Sequence, residues 1–259
     1  MTPRTIRAHA PRPPALVAVA HGSRDPGALR TVTALLDRVR RLRPDLDVRL
    51  GHIELNEPLL GDTLAALAAE GAREAVLVPL LLARGHHVKV DLPAAAAAVP
   101  GLRAVVARPL GPDPLLAEVL HARLAEAGWN EAAGGQAVVL AAAGSRDPEA
   151  AVDTARTAAL LSARLGGVPV LPAYACAAAP TVPAAVAALR ARGLRRIAVA
   201  SCFAAPGRFA AQCAADAPWI VSAPLGPHDA LARLVLARHL AAAAAFPPLR
   251  ADPALRRAG

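Results

Sequence analysis

The chain has 259 residues, of which 55% are hydrophobic and 2% aromatic, and its formal net charge is +9. That length accommodates two compact units of roughly 100 to 150 residues each, while no uninterrupted apolar run reaches the roughly 18 residues that span a bilayer. One Tyr, two Trp and three Phe leave little on which to stack bases, and no Lys/Arg block forms a basic arm, so nucleic acid is not expected as a partner; the charge points to a polyanionic small molecule, or simply to arginines solvated on helix faces.

In chain order, residues 1 to 14 carry arginines and prolines and read as a loose tail before the first strand, because the apolar stretch that follows is too short for a signal-peptide core. Val17 to Ala20 reads as that strand. From Pro26 the apolar positions Leu29, Val32, Leu35, Leu36, Val39 and Leu42 repeat at helical spacing. The cycle returns with a strand near Val48 to Ile53, a helix from Asp62 to Glu70 stopped by Gly71, and a strand from Ala75 to Leu82. A short helix is expected after Asp91, placed as its N-cap before Leu92 and Pro93. A strand at Leu102 to Ala107 and a helix from Pro114 to Ala127 complete the first half. Ala132 to Gly135 reads as a linker. The second half gives a strand at Ala137 to Ala142, a helix at Pro148 to Leu165, a strand at Val168 to Tyr174, a helix at Pro183 to Arg192, a strand at Ile197 to Cys202 and a helix at Ala230 to Ala245. Strands that are apolar throughout and alternate with helices predict an α/β fold whose parallel sheets are covered on both faces.

The halves are copies. An offset of 122 positions brings AHGSRDPGA (Ala20 to Ala28) onto AAGSRDPEA (Ala142 to Ala150), with seven of nine residues identical, and carries Pro58 onto Pro180 and Gly85 onto Gly207. The motif PLGP recurs at Pro109 and Pro224, an offset of 115, so about seven residues were lost after Gly207. The expected organisation is two similar lobes, residues 15–131 and 136–246, with loose tails at 1–14 and 247–259.

Three ligand-capable side chains fail to recur: His21 becomes Ala143, Glu54 becomes Cys176 and His87 becomes Phe209. Each follows a predicted strand, at the sheet end where doubly wound folds bind ligands, and neighbouring strand ends about 5 Å apart let them converge on one ion. Two imidazoles and a carboxylate leave coordination positions open, as a reactive metal site requires. A strand-end histidine taken alone is ordinarily a hydrogen-bonded loop residue; the joint loss, with the glycines and prolines kept, favours a site in the first copy. His86 and His52 lack that support, Glu57 reads as a first-turn carboxylate, and Ser23 and Arg24 persist as Ser145 and Arg146 and read as loop residues. Cys176, Cys202 and Cys213 show no CxxC spacing, which fits a reducing cytoplasm and ordinary buried thiols.

HGSRDP after the first strand, ELNEP after the second and GHHVKVDLP after the third resemble the sirohydrochlorin chelatase family, the class II chelatases that insert a divalent metal into a tetrapyrrole. The resemblance covers nearly the whole chain, the second half matching the degenerate copy of long members. It implies two α/β lobes facing across a cleft, with His21, Glu54 and His87 as metal-handling and catalytic residues and sirohydrochlorin as substrate. Arg24, Arg84, Lys89 and Arg208 are candidates to meet its carboxylates. Fe²⁺, Co²⁺ or Ni²⁺ enters as substrate, with iron favoured by the wider occurrence of sirohaem; no organic cofactor and no iron–sulfur cluster are expected, since no carboxy-terminal cysteine cluster is present. A monomer fits. The alternatives are a metal or tetrapyrrole carrier without turnover and a phosphohistidine-type phosphatase, whose pattern places an arginine where Ala20 stands.

Overall fold

A computed structural model describes residues 13–130 and 134–246. Of the expected tails, residues 1–12 and 247–259 lie outside the described residues, as do residues 132 and 133 of the expected linker. The first half contains β1 (Ala15–Ala20), α1 (Pro26–Leu42), β2 (Val48–His52), α2 (Leu60–Ala69), β3 (Glu74–Pro79), a π-helical turn (His87–Asp91) that runs directly into α3 (Leu92–Ala97), β4 (Arg103–Val106) and α4 (Pro114–Glu126). The second contains β5 (Gln136–Ala142), α5 (Pro148–Arg164), β6 (Val170–Tyr174), α6 (Val182–Ala191), β7 (Arg196–Ser201), α7 (Arg208–Ala215) and α8 (Asp229–Ala243).

Both sheets are parallel, ordered β2-β1-β3-β4 and β6-β5-β7, with Leu16 opposite Val48 and Val76 in the first and Val138 opposite Val170 and Ala198 in the second. The counterpart of β4 is reduced to a single bridge between Val199 and Val221. Shortening by about seven residues falls there, as the changed PLGP offset requires. Asp25 and Asp147 occupy equivalent N-cap positions and accept from Gly27 N at 2.7 Å and Glu149 N at 2.9 Å, so one cap starts the first helix of both copies.

Strand alternation divides the apolar side chains between cores. Leu16, Ala18, Val76 and Val78 join a central core, whereas Ala15, Val17, Val19, Ala75 and Leu77 pack outward beneath α2 and α3. The second sheet does likewise, with Val138 and Leu140 inward and Ala137, Val139 and Ala141 beneath α6 and α7. The central core belongs to both halves: it joins residues of α1 and α4 with residues of α5 and α8.

The last helix of each copy crosses to the other. α4 packs on β7 and α5, and α8 packs on β3, β4 and α1. Arg123 of α4 donates from Nε and Nη2 to the carbonyl of Leu225 at 2.9 and 2.8 Å; its equivalent in α8, Arg238, donates to the carbonyls of Pro109 and Leu110 at 2.8 and 2.9 Å. A pseudo-two-fold axis thus relates the lobes. Gly85 approaches Ser145 just as Gly207 approaches Ser23, so close that a Cβ on either glycine would lie 3.5 or 3.4 Å from the hydroxyl.

Three local expectations need correction. Asp91 is not an N-cap: it has helical backbone angles and makes no capping bond, because the helix starts before it, at the π turn. The strand expected to Leu82 ends at Pro79, since the backbone beyond it forms the loop leading to His87. α7, at the positions equivalent to the π turn and the start of α3, is a helix that the sequence reading did not contain.

Candidate functional site

The chain passes from β1 out to β2 and then back across to β3, so the switch in strand order lies between β1 and β3. Crevices at such points are where doubly wound sheets bind ligands. His21 follows β1 directly and His87 opens the π turn beyond β3. Their rings meet edge to face with centroids 4.9 Å apart. Glu54, just past β2, places Oε1 3.6 Å from Nδ1 of His21. The three residues are thus adjacent, and all are partly exposed, with side-chain exposures of 46% for His21, 55% for Glu54 and 37% for His87.

Backbone constraints bring the first pair together. Ile53 N donates to Ala20 O at 2.9 Å and Glu54 N to His21 O at 3.0 Å, which continues the β1–β2 pairing past the end of the sheet. This close approach requires Gly22, which has φ +105° and on which a Cβ would lie 1.8 Å from the Glu54 carbonyl oxygen. Ser23 N donates to Asn56 Oδ1 at 2.7 Å, tying the two loops together. In the other lobe Gly144, with φ +92°, meets Cys176 O in the same way, and Cys176 N donates to Ala143 O at 3.0 Å. The same backbone arrangement recurs where His21 and Glu54 are replaced by Ala143 and Cys176.

His87 is held from within the π turn: its Nδ1 lies 2.6 Å from Oδ2 of Asp91. The other oxygen of Asp91 is 3.5 Å from Nε2 of His86, which is the more exposed of the two neighbouring histidines at 73%. Asp91 is the functional candidate that sequence reasoning missed. Its spacing of four from His87 was the available signal, obscured by the reading of Asp91 as a cap. As they stand, no three His, Cys, Asp or Glu side chains form a ready metal cage among the described residues. A cavity of about 290 Å³ lined by His52, Leu60, Asp62, Asp91 and Leu92 lies against Asp91 and includes neither His21 nor His87.

Other expectations divide. His52 is buried and its Nδ1 lies 3.2 Å from Pro58 O, a structural contact. Glu57 accepts from Leu59 N at 3.2 Å at the entry to α2. Ser23 Oγ accepts from Asp25 N at 3.1 Å, and Ser145 does the same for Asp147. Arg84 and Lys89 are not open receptors for a polyanion. Arg84 binds Asp153 and Glu149, and Lys89 binds Asp147 and Glu149, across the lobe interface. Arg208 stacks on Phe209, the residue in the place of His87, at 4.8 Å. Arg24 is exposed beside the site. Cys176 donates to Ala143 O at 3.2 Å, and burial pushes the Cys202 thiol up to about 12, leaving it inert as a nucleophile.

The described residues include no helix long and apolar enough to cross a membrane. A sirohydrochlorin cobaltochelatase of Methanosarcina barkeri is 31% identical over 123 residues, which are 43% of this chain and 95% of that protein. A sirohydrochlorin ferrochelatase of Bacillus subtilis is 28% identical over 172 residues, 64% of each chain. Among solved structures, SirB from Bacillus subtilis with Fe³⁺ superposes with a TM-score of 0.73 at 25% identity, covering 90% of this chain and 96% of that one. The model of the CbiX family matches residues 15–127 and again residues 137–242, once on each copy, and this chain belongs to the CbiX family.

Proposed function

We propose that this protein is a sirohydrochlorin metal chelatase, a lyase that inserts a divalent ion into the tetrapyrrole from a site formed by His21, Glu54 and His87. The observation that carries the reading is the convergence of these side chains at the switch point of one sheet, in a chain whose relatives are named for that reaction. Neutral imidazoles supply nitrogen ligands and Glu54 offsets part of the ionic charge. Half-exposed side chains at loop positions turn readily toward an ion, and an open, incompletely coordinated arrangement releases it, where a closed four-ligand site would retain it.

Insertion requires the ion to lose water and the macrocycle to lose two pyrrole N–H protons while it accepts the metal from one face. An imidazole that gives up its metal bond has a lone pair free to take such a proton. His21 and His87 lie close enough together for transfer and proton capture to occur at one place. The ions that suit this ligand set are Fe²⁺, Co²⁺ and Ni²⁺, and iron is our choice among them. The protein acts in the cytoplasm, and with both lobes in one chain a monomer suffices.

The test is anaerobic incubation of the protein with sirohydrochlorin and each ion separately, followed by absorbance against enzyme-free and His21→Ala controls. Multiple turnovers that disappear in the variant support the reading, and their relative rates rank the ions. Tetrapyrrole binding with no acceleration by any ion would make the protein a carrier.

A further inference from the structure

The π turn that carries His87 has no buried residue of its own. Its apolar anchor is Leu92, which follows it at the start of α3, and within the turn itself the ties are polar. Several come from the other lobe. Asp153, whose side chain is 2% exposed, accepts from Arg84 three times: from the main-chain N at 2.9 Å, from Nε at 2.8 Å and, through its second oxygen, from Nη2 at 2.7 Å. Glu149 accepts from Nη1 of the same guanidinium. Lys89, inside the turn, reaches Asp147 at 2.6 Å and Glu149 as well. These contacts grip the segment three residues before His87 and two residues after it. A bidentate guanidinium–carboxylate pair sets orientation as well as distance.

The opposite side of the pseudo-two-fold axis shows that closing the lobes does not require this cluster. There the equivalents of Arg84 and Lys89 are Pro206 and Ala211, and those of Glu149 and Asp153 are Gly27 and Thr31. Thr31 bonds only to its own helix, at Gly27 O. The lobes nevertheless meet alike on both sides, Gly85 against the Ser145 hydroxyl and Gly207 against the Ser23 hydroxyl. The ionic clamp is found only on the side that has the histidine.

We infer that Asp153, Glu149 and Asp147 are positioning residues for the metal site: the half without metal ligands holds the His87 turn in register with His21 through Arg84 and Lys89. This rests on the reading of His21, Glu54 and His87 as the metal site. Burial pushes the Asp153 carboxyl up, but its bonds to Arg84 outweigh this and hold it below the ordinary value, so it remains an anion.

The test uses the full chain and the double variant Arg84→Met with Asp153→Leu. Replacing both partners leaves no unpaired buried charge, a change that proteins commonly tolerate. Titration with Co²⁺, followed by its visible absorption, gives a readout independent of turnover. Expected are a loss of Co²⁺ affinity and of kcat of about 10-fold or more, typical of lost outer-shell support, with KM for sirohydrochlorin changed by less than about twofold. Arg238→Met, which loosens the same interface away from His87, should lower Tm and leave Co²⁺ affinity unchanged. Lys89→Met removes the half-exposed arm alone and should weaken Co²⁺ binding severalfold, whether or not the double variant folds. Wild-type affinity in both clamp variants overturns the inference while leaving the site reading intact, provided His21→Ala still abolishes binding. An equal loss in Arg238→Met also overturns it, since general loosening then explains the effect. If the unmodified protein shows no His21-dependent Co²⁺ binding, the site reading fails and the inference with it.

Discussion

Oδ2 of Asp91 stands 2.6 Å from Nδ1 of His87, four residues apart within the π turn. A carboxylate accepts at this position only when Nδ1 bears the proton, which leaves the Nε2 lone pair available to a metal. Asp91→Ala should lower Co²⁺ affinity and turnover by about 10 to 100-fold, the usual cost of removing the group behind a ligating histidine. Asp91→Asn, whose amide oxygen still accepts, should lose less. Equal losses in the two variants would mean that the ring is not held by this bond.

Gly22 and Gly144 provide a matched pair. Each has positive φ, and a Cβ on either would run into a carbonyl oxygen, 1.8 Å away at Glu54 and 1.9 Å away at Cys176. Alanine at either position should destabilise the protein by about 1 to 3 kcal/mol or more, measurable by denaturant unfolding. Only Gly22→Ala should also reduce activity per folded molecule, because only Gly22 packs the loop of His21 against the loop of Glu54. Comparable activity losses in the two variants would show that the second lobe loop also handles substrate.

Leu120 of α4 is fully buried in the core shared by the two halves. Leu120→Ala should cost about 2 to 5 kcal/mol. Because α4 packs on the second sheet and α8 on the first, calorimetry should show one cooperative transition that moves as a whole. Two transitions, with only one shifted, would refute a shared core.

His239 is buried, with Nε2 2.9 Å from the carbonyl oxygen of Pro14. Burial is the main cause that holds it below its ordinary value of 6.5. The unfolded chain takes up this proton below about pH 6.5 while the folded chain resists, so the contribution to stability is complete above that pH and is lost as pH falls. Tm should fall between pH 7 and pH 5, with a smaller fall in His239→Gln. His228, also lowered chiefly by burial, contributes with the same sign, so the slope should shrink without disappearing. An unchanged slope would locate the pH sensitivity elsewhere.

The repeated strand–loop–helix order was legible because both copies keep the same punctuation: Asp25 and Asp147 as caps, and Gly22 and Gly144 where strands come too close for a Cβ. Comparing the copies also singled out His21, Glu54 and His87, whose side chains the fold brings near one another. Asp91 was misread because Asp before Leu-Pro is a capping pattern, and the π turn that overrides it depends on long-range ties. The partners of Arg84 and Lys89 were beyond reach for a related reason. Glu149 and Asp153 look like solvated helix residues until the lobes are placed against each other. The crossing of α4 and α8 leaves no local mark, since each helix has the same apolar pattern whichever sheet it covers.

That crossing makes the chain equivalent to a self-complementary pair of units joined end to end. In a pair of identical subunits every substitution at the interface occurs twice, and an acid introduced beside one active centre is introduced beside both. Joining the units removes this constraint. Glu149 and Asp153 can face Arg84 and Lys89 on one side while Gly27 and Thr31 face Pro206 and Ala211 on the other, a division of labour that two identical subunits cannot encode.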